Sequence, residues 1–115
     1  MKSVCYYGTC RCVPGYSFNP GDDTCLRHCA RYGNSMSSYP GLGITEHNLR
    51  AKKNTAMQEC VKECVFEKNF LCVSADTYSN DESCNLQGVG YLEVHKRSRE
   101  TGQTNWTYLH RDCAM

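Results

Sequence analysis

The stretch that decides the fold of this chain runs from residue 55 to residue 86 and reads TAMQECVKECVFEKNFLCVSADTYSNDESCNL. It opens with Thr55 and Gln58, which have the spacing of a capping box, in which two side chains bond reciprocally to free backbone amides at a helix start. Apolar residues then recur at helical spacing: Met57, Cys60, Val61, Cys64 and Val65. We therefore predict a helix over residues 55–67 with two cysteines on its apolar face.

The rest of this stretch has the pattern of a β-hairpin. Residues 71–78 are rich in strand-forming side chains, and the polar residues 79–82 have the composition of a turn. Residues 83–86 can return as the antiparallel partner. A helix followed by a strand hairpin is thus the predicted centre of the domain.

Flanking segments add weaker strand signals. Residues 91–95 and 106–110 alternate apolar and polar side chains, which predicts two further strands joined by a polar, basic loop. Residues 33–45 are rich in Ser, Gly, Tyr and Pro, and they predict a loop with a short strand at Leu42 and Ile44.

Cysteine is the dominant feature of the composition. The chain has 115 residues and ten cysteines, whereas Leu, Ile, Val and Phe together number only 18. So small an aliphatic core needs cross-links. The cysteine spacings contain no CxxC pair and the four histidines are dispersed, so five disulfides are predicted and no metal or cofactor site is. The cysteines stand at Cys5, Cys10, Cys12, Cys25, Cys29, Cys60, Cys64, Cys72, Cys84 and Cys113.

The last six cysteines occur in a characteristic order. A capped helix carries CxxxC, a short gap leads to a strand cysteine in Phe70-Leu71-Cys72, a CxL strand follows at Cys84-Asn85-Leu86, and further cysteines flank the whole. This order resembles the PAN/apple domain over about residues 26–114. The resemblance implies an α+β, disulfide-rich fold with a curved antiparallel sheet around one α-helix. It also implies the pairs Cys60/Cys84, Cys64/Cys72 and Cys29/Cys113.

The N-terminal segment has a different character. Its string Cys10-Arg11-Cys12-Val13-Pro14-Gly15-Tyr16, followed by Cys25, resembles the second half of an EGF-like domain. Because only Cys5 precedes this string, the resemblance implies a truncated EGF-like module with the pairs Cys12/Cys25 and Cys5/Cys10. We therefore predict two units, an EGF-like module over residues 1–28 and a PAN/apple domain over residues 29–115.

Charge and hydropathy exclude several classes of protein. The net charge of +1, from 13 basic and 12 acidic residues, argues against a globally basic nucleic-acid binder. No apolar run reaches the length of about 18 residues that a membrane span needs, so no membrane insertion is predicted. The start Met1-Lys2-Ser3 lacks the apolar stretch of a signal peptide, which predicts a mature chain or an excised fragment.

Basic residues nevertheless cluster locally. One group precedes the helix and the other lies in the predicted loop after residue 94: Arg50, Lys52 and Lys53, then His95, Lys96, Arg97 and Arg99. Clustered Lys and Arg can bind sulfate or carboxylate groups through charge-assisted hydrogen bonds. We predict these residues as the candidate ligand-binding surface, with a sulfated or sialylated glycan as one ligand class; the alternative is an ordinary solvated loop.

The predicted function is that of a secreted, extracellular binding or adhesion module for a protein or carbohydrate, because PAN/apple domains act as such units. No catalytic constellation emerges, since bridged cysteines leave no thiolate and the adjacent acids Asp22-Asp23 and Asp81-Glu82 have the sequence of solvated turns. Asn105-Trp106-Thr107 is a glycosylation sequon, which predicts a glycoprotein. Two alternatives are a secreted growth-factor-like or signalling ligand, and a matrix or inhibitor protein.

Overall fold

The fold is α+β and disulfide-rich. The computed structural model describes the backbone of residues 3–6 and 9–115 and the side chains of residues 3 and 10–115. In chain order the strands are β1 (Ser3–Tyr6), β2 (Thr9–Cys12), β3 (Ser17–Asn19), β4 (Thr24–Leu26), β5 (Tyr32–Pro40), β6 (Gly43–Ile44), β7 (Asn48–Lys52), β8 (Ser74–Tyr78), β9 (Ser83–Gln87), β10 (Arg99–Glu100) and β11 (Trp106–Cys113). The helix α1 (Met57–Val65) follows β7, and two 3-10 helices, Tyr91–Glu93 and Lys96–Ser98, lie between β9 and β10.

A five-stranded antiparallel sheet forms the centre, in the order β5-β11-β8-β9-β7. Three small two-stranded pairs surround it, β1 with β2, β3 with β4, and β6 with β10. The predicted hairpin is present as β8 and β9, with residues 79–82 as its turn. The predicted strand at 106–110 is also present, and it continues to Cys113 as β11.

The helix is confirmed, but its predicted cap is wrong. It begins at Met57 with Ala56 as the N-cap, and no side chain caps it. Thr55 is buried instead, where its hydroxyl donates to the Lys53 carbonyl at 3.1 Å and its amide donates to the Glu82 carbonyl at 2.8 Å. The backbone amide of Thr55 thus joins the chain entering the helix to the hairpin turn, and its hydroxyl, bonded to Lys53, does not cap the helix amides.

Two other segments differ from the prediction. Residues 33–45 are mostly the nine-residue strand β5, because this segment pairs with β11 from Pro40 opposite Thr107 to Tyr32 opposite Cys113. Residues 91–95 contain no strand, and Tyr91–Glu93 form a 3-10 turn instead. Glu93 closes that turn, since its amide donates to the Gly90 carbonyl at 3.0 Å and its carboxylate accepts the Gly90 amide at 2.6 Å.

Two clusters of buried side chains make up the core. The first joins the helix to the sheet and is mainly cysteine: Cys60, Cys64, Cys72, Ala75, Cys84, Leu86 and Leu109. The second lies on the other face and is mainly aromatic: Tyr39, Ile44, Tyr91, Val94 and Tyr108. Disulfide sulfurs and tyrosine rings thus occupy the volume that aliphatic side chains fill in most domains.

Four disulfides are present among the described side chains, and they join the pairs that the two resemblances imply: Cys12–Cys25, Cys29–Cys113, Cys60–Cys84 and Cys64–Cys72. Cys10 is also disulfide-bonded. The predicted Cys5/Cys10 pair involves a side chain outside the described residues. Cys29–Cys113 joins residues 84 positions apart, and all five strands of the central sheet lie within the segment of chain that this disulfide closes.

The N-terminal segment packs on the tyrosine-rich face of the sheet. The Tyr39 hydroxyl donates to the Cys12 carbonyl at 2.8 Å, and the Ser17 hydroxyl lies 2.9 Å from His110 Nε2. Arg27 donates to the Leu92 carbonyl at 3.1 Å. The division at residue 28 stays a prediction. None of the helices in the described part of the chain has the length and apolarity to span a membrane.

Candidate functional site

A cavity of about 350 Å³, lined mostly by polar residues, opens beside β6 and β10. Strands β6 to β11 and the segments next to β6 and β11 supply its walls. The lining residues are Gly43, Ile44, Thr45, Glu46, Asn48, Asp76, Asn85, Glu100, Gln103 and Trp106. Most of them carry amides, hydroxyls or carboxylates, so the cavity offers hydrogen-bonding groups to a ligand.

Asp76 is the buried carboxylate of this cavity. It lies in the middle of β8, opposite Asn85 of β9 and Tyr108 of β11, and only 3% of it is exposed. One oxygen, Oδ2, accepts the Ile44 amide at 3.1 Å and the Gln87 side-chain amide at 2.8 Å. The other oxygen, Oδ1, is buried with no hydrogen-bond partner in the described structure.

Burial governs the protonation of Asp76. Removal from water raises the pKa of this carboxyl from 3.8 to about 7, although the hydrogen bonds from Ile44 and Gln87 act in the opposite direction. The side chain is therefore divided between its neutral and charged forms near neutral pH. A donor or a positive charge brought to Oδ1 would favour the charged form.

Gly43 leaves space above this carboxylate. A Cβ at residue 43 would stand 3.7 Å from Cγ, 3.7 Å from Oδ1 and 3.8 Å from Oδ2 of Asp76, so it would lie over the whole carboxylate, including the oxygen that lacks a partner. Because Gly43 lies on β6 and also lines the cavity, the missing side chain brings the cavity close to the carboxylate.

The walls of the cavity are ordered by further contacts. Gln87 donates to the Asn48 side-chain oxygen at 2.9 Å as well as to Asp76, and Gln103 donates to a Glu100 carboxylate oxygen at 3.3 Å. The indole of Trp106 stacks on the ring of Tyr78 with centroids 4.7 Å apart, which holds one face of the indole in place.

The sequence interpretation missed this cavity. One signal was present, because Asp76 is the single charged residue within the predicted strand 71–78. A lone carboxylate in a buried strand is costly unless it is paired or neutral, so its position marks a special environment. The remaining lining residues come from segments far apart in sequence, and only the folded sheet brings them together.

The basic group before the helix lies on and just after β7, and each of its three cations forms an ion pair with an acidic side chain. Arg50 pairs with Glu67 at 2.9 Å, Lys52 with Glu63 at 2.8 Å and Lys53 with Asp81 at 3.1 Å. The pairs have a common origin, since β7 is the edge strand beside β9 and lies close to acidic residues of the helix and the hairpin turn.

These ion pairs help to lower the pKa values of the three acids. The Lys52 hydrogen bond lowers the pKa of Glu63. The pKa of Glu67 is lowered first by the Asn69 amide and then by Arg50, and the pKa of Asp81 is lowered first by the Ser83 hydroxyl and then by Lys53. The cations of this group are therefore less available to an external anion than the sequence suggests.

The second basic group has mixed roles. Arg99 donates to the carbonyls of Tyr91 and Leu92 at 2.9 and 3.1 Å, so it supports the 3-10 turn. His95 Nδ1 accepts the Arg97 amide at 3.1 Å and caps the second 3-10 helix. Lys96 and Arg97 are exposed, and neither has a carboxylate within ion-pair distance among the described residues. No ion pair or side-chain hydrogen bond in that part of the chain joins the two basic groups.

One further predicted site, the glycosylation sequon, has a defined position. Asn105 is exposed in the turn before β11, with a φ of 69° and its carbonyl accepting the Ser79 amide at 2.9 Å, so its side chain is accessible for glycosylation. Within the described residues, no three or more His, Cys, Asp or Glu side chains are grouped so that they could hold a metal ion.

Comparison of the chain with protein-family models, with curated protein sequences and with solved structures gives no match. The resemblances to PAN/apple and EGF-like domains therefore rest on the cysteine order and the residues quoted above.

Proposed function

We propose that the chain is a secreted, non-catalytic binding module with a PAN/apple-type domain, which recognises a protein or carbohydrate ligand. The observation that carries the proposal is the polar cavity with Asp76 at its floor. Its amide and hydroxyl groups can bond to a polar ligand, and Trp106 adds an aromatic wall. A concave site with a few converging polar groups is the usual form of a small-ligand site.

The disulfides support the location and the domain type. Cysteine makes up ten of 115 residues, and disulfides at this density are typical of oxidising compartments such as the extracellular space. The pairs Cys60–Cys84, Cys64–Cys72 and Cys29–Cys113 are those implied by the PAN/apple resemblance. An antiparallel sheet with one α-helix packed against it is also the arrangement that the resemblance implies.

An anionic glycan remains a second candidate ligand, at a different surface. Glu46 and Glu100 line the cavity, so like-charge repulsion disfavours a sulfated or sialylated group there. The adjacent exposed cations Lys96 and Arg97 are the better contact for such a group, since Arg50, Lys52 and Lys53 already have acidic partners.

A binding screen with two variants tests these sites. Arrays of glycans and extracellular-matrix proteins are probed at two salt concentrations with the native protein, with Gly43→Ala and with Lys96→Glu/Arg97→Glu. A cavity ligand is lost in Gly43→Ala, whereas an anionic ligand is lost in the charge reversal and weakens at high salt. The double variant Arg31→Glu/Lys68→Glu, which makes the same charge change at two other exposed positions, serves as the control.

The screen also decides between binding and the alternatives. If the native protein binds nothing on either array, the proposed binding function is wrong. If ligands bind equally well to all variants, the ligand surface lies outside both candidate sites. A receptor pull-down with the same proteins tests the signalling alternative.

A further inference from the structure

We propose that the cavity at Asp76 binds a primary ammonium group, which donates a charge-assisted hydrogen bond to Asp76 Oδ1; this inference rests on the proposed binding function and names its ligand class. The ammonium could belong to a lysine side chain of a protein ligand or to an amino sugar. Both sources share the same donor and the same charge.

The charge of the lining favours a cation. Three of the ten lining residues are acidic, namely Asp76, Glu46 and Glu100, and none of the ten is Lys, Arg or His. The region has a low dielectric constant near the Asp76 carboxylate, which is 3% exposed, so charges there interact more strongly than in water. A ligand with a positive charge gains from all three carboxylates, whereas a neutral ligand gains from none of these charge interactions.

The hydrogen bonding of Asp76 points to a missing donor. Both protein donors, the Ile44 amide and the Gln87 side chain, bond to Oδ2, which leaves Oδ1 buried and unpaired. A buried acceptor without a partner costs free energy that a donor would recover. An ammonium group supplies both the donor and the compensating charge, and a hydroxyl supplies only the donor.

The route to this oxygen passes residue 43. Since a Cβ on Gly43 would stand 3.7 Å from Oδ1 and 3.8 Å from Oδ2, the bare backbone leaves space over the carboxylate, and Oδ1 is the oxygen there that has no protein donor. This geometry provides a steric test. The φ of Gly43 is outside the left-handed region, and the Cβ contact is of ordinary van der Waals length, so alanine fits without strain while covering the oxygen.

A divalent cation is the less suitable occupant. Calcium takes six to eight oxygen ligands at about 2.3–2.6 Å. Among the described residues, no group of three or more acidic, His or Cys side chains is arranged for metal binding. A monovalent ammonium needs only one close carboxylate oxygen, which Asp76 provides.

The experiment measures binding of two matched pairs of probes to the disulfide-intact protein by NMR titration. The first pair is glucosamine and N-acetylglucosamine, and the second is Nα-acetyl-lysine amide and its Nε-acetylated form. In each pair the two compounds differ only at the amine, which acetylation makes neutral and enlarges by one acetyl group, and Asp76→Asn tests the charge without that change of size. We expect at least one amine to bind, with its acetylated partner binding about 10- to 100-fold more weakly, as the loss of one charge-assisted hydrogen bond predicts. The amine that binds identifies the source, an amino sugar or a lysine side chain.

Three variants connect the signal to the site. Asp76→Asn keeps the shape but removes the charge, and Gly43→Ala keeps the charge but covers the oxygen; both should weaken amine binding by about 10-fold or more. Glu59→Gln changes an exposed carboxylate on the helix and should leave it unchanged. Amide spectra establish that each variant is folded.

The outcomes separate this inference from the proposed function. Equal binding of the amines and their acetylated forms, or undiminished amine binding to Asp76→Asn, overturns the ammonium assignment while a binding function survives. Failure of both amines to bind also overturns it. If the array screen finds no ligand either, the proposed function falls with it.

Discussion

Substituting Asp76 by asparagine should change how stability depends on pH. In the native protein the folded carboxyl has a pKa of about 7, against 3.8 for an exposed aspartate. Between these values the folded state holds a proton that the unfolded state has released. The free energy of unfolding therefore falls as the pH rises from about 4 to 7, and this loss is complete above pH 7.

The magnitude follows from the size of the pKa shift. A difference of about three units at about 1.36 kcal/mol per unit gives about 4 kcal/mol of destabilisation at pH 8, which is almost absent at pH 4. Asparagine cannot ionise, and its oxygen can still accept from Ile44 and Gln87. The stability of Asp76→Asn relative to the native protein should thus improve by about 4 kcal/mol between pH 4 and pH 8.

Guanidinium denaturation with the disulfides intact measures this effect at the two pH values. The comparison uses the difference between variant and native protein, so pH effects from Glu63, Glu67 and Asp81, which both proteins share, cancel. Any constant cost of the new side-chain amide cancels as well. A variant whose relative stability is the same at pH 4 and pH 8 would show that burial does not raise the pKa of Asp76 above its ordinary value of 3.8, and the prediction would be wrong.

Further predictions concern a disulfide, a buried histidine and the sequon. Replacing Cys29 and Cys113 by serine should lower the free energy of unfolding by roughly 4 to 5 kcal/mol in urea denaturation, because the bridge closes a loop of 84 residues; a loss below ~1 kcal/mol would contradict this. His110, whose pKa burial lowers to about 4, should stay neutral at pH 5.5, which ring-nitrogen NMR shifts would show; a shift change near pH 6.5 would refute it. Because its unfolded form charges first, His110 should also reduce stability as the pH falls from about 6.5 to 4. Expression through a eukaryotic secretory pathway should add a glycan at Asn105, detected as a mass shift that Asn105→Gln removes; an unchanged mass would contradict its accessibility.

The parts of the fold that sequence predicts best are those with local signals. Cysteines one helical turn apart, and a strand–turn–strand pattern after them, gave α1, β8 and β9 correctly. The strand β5 was missed because its Ser-rich and Gly-rich sequence lacks alternation, and its strand form depends on pairing with β11. Residues 91–93 alternate like a strand but turn, since the Glu93 carboxylate closes them onto Gly90.

The site was less predictable than the fold for a physical reason. The sequence interpretation selected basic residues by their proximity in sequence, and it could not place the carboxylates that pair with Arg50, Lys52 and Lys53 across the β7 edge. In the cavity the informative residue is a single buried carboxylate, Asp76, and its neighbours come from strands that are far apart in the sequence. Its most informative property, an oxygen without a donor, exists only in three dimensions.

The position of Trp106 has a practical consequence. It is the sole tryptophan of the chain, it forms a wall of the cavity, and its ring lies against that of Tyr78. Excitation at the red edge of the indole band therefore reports from one known place, beside Asp76, with no second emitter to subtract. A ligand that enters the cavity changes the solvent around this fluorophore, so occupancy can be followed by emission wavelength in unlabelled protein, and the same signal can screen candidate ligands in solution.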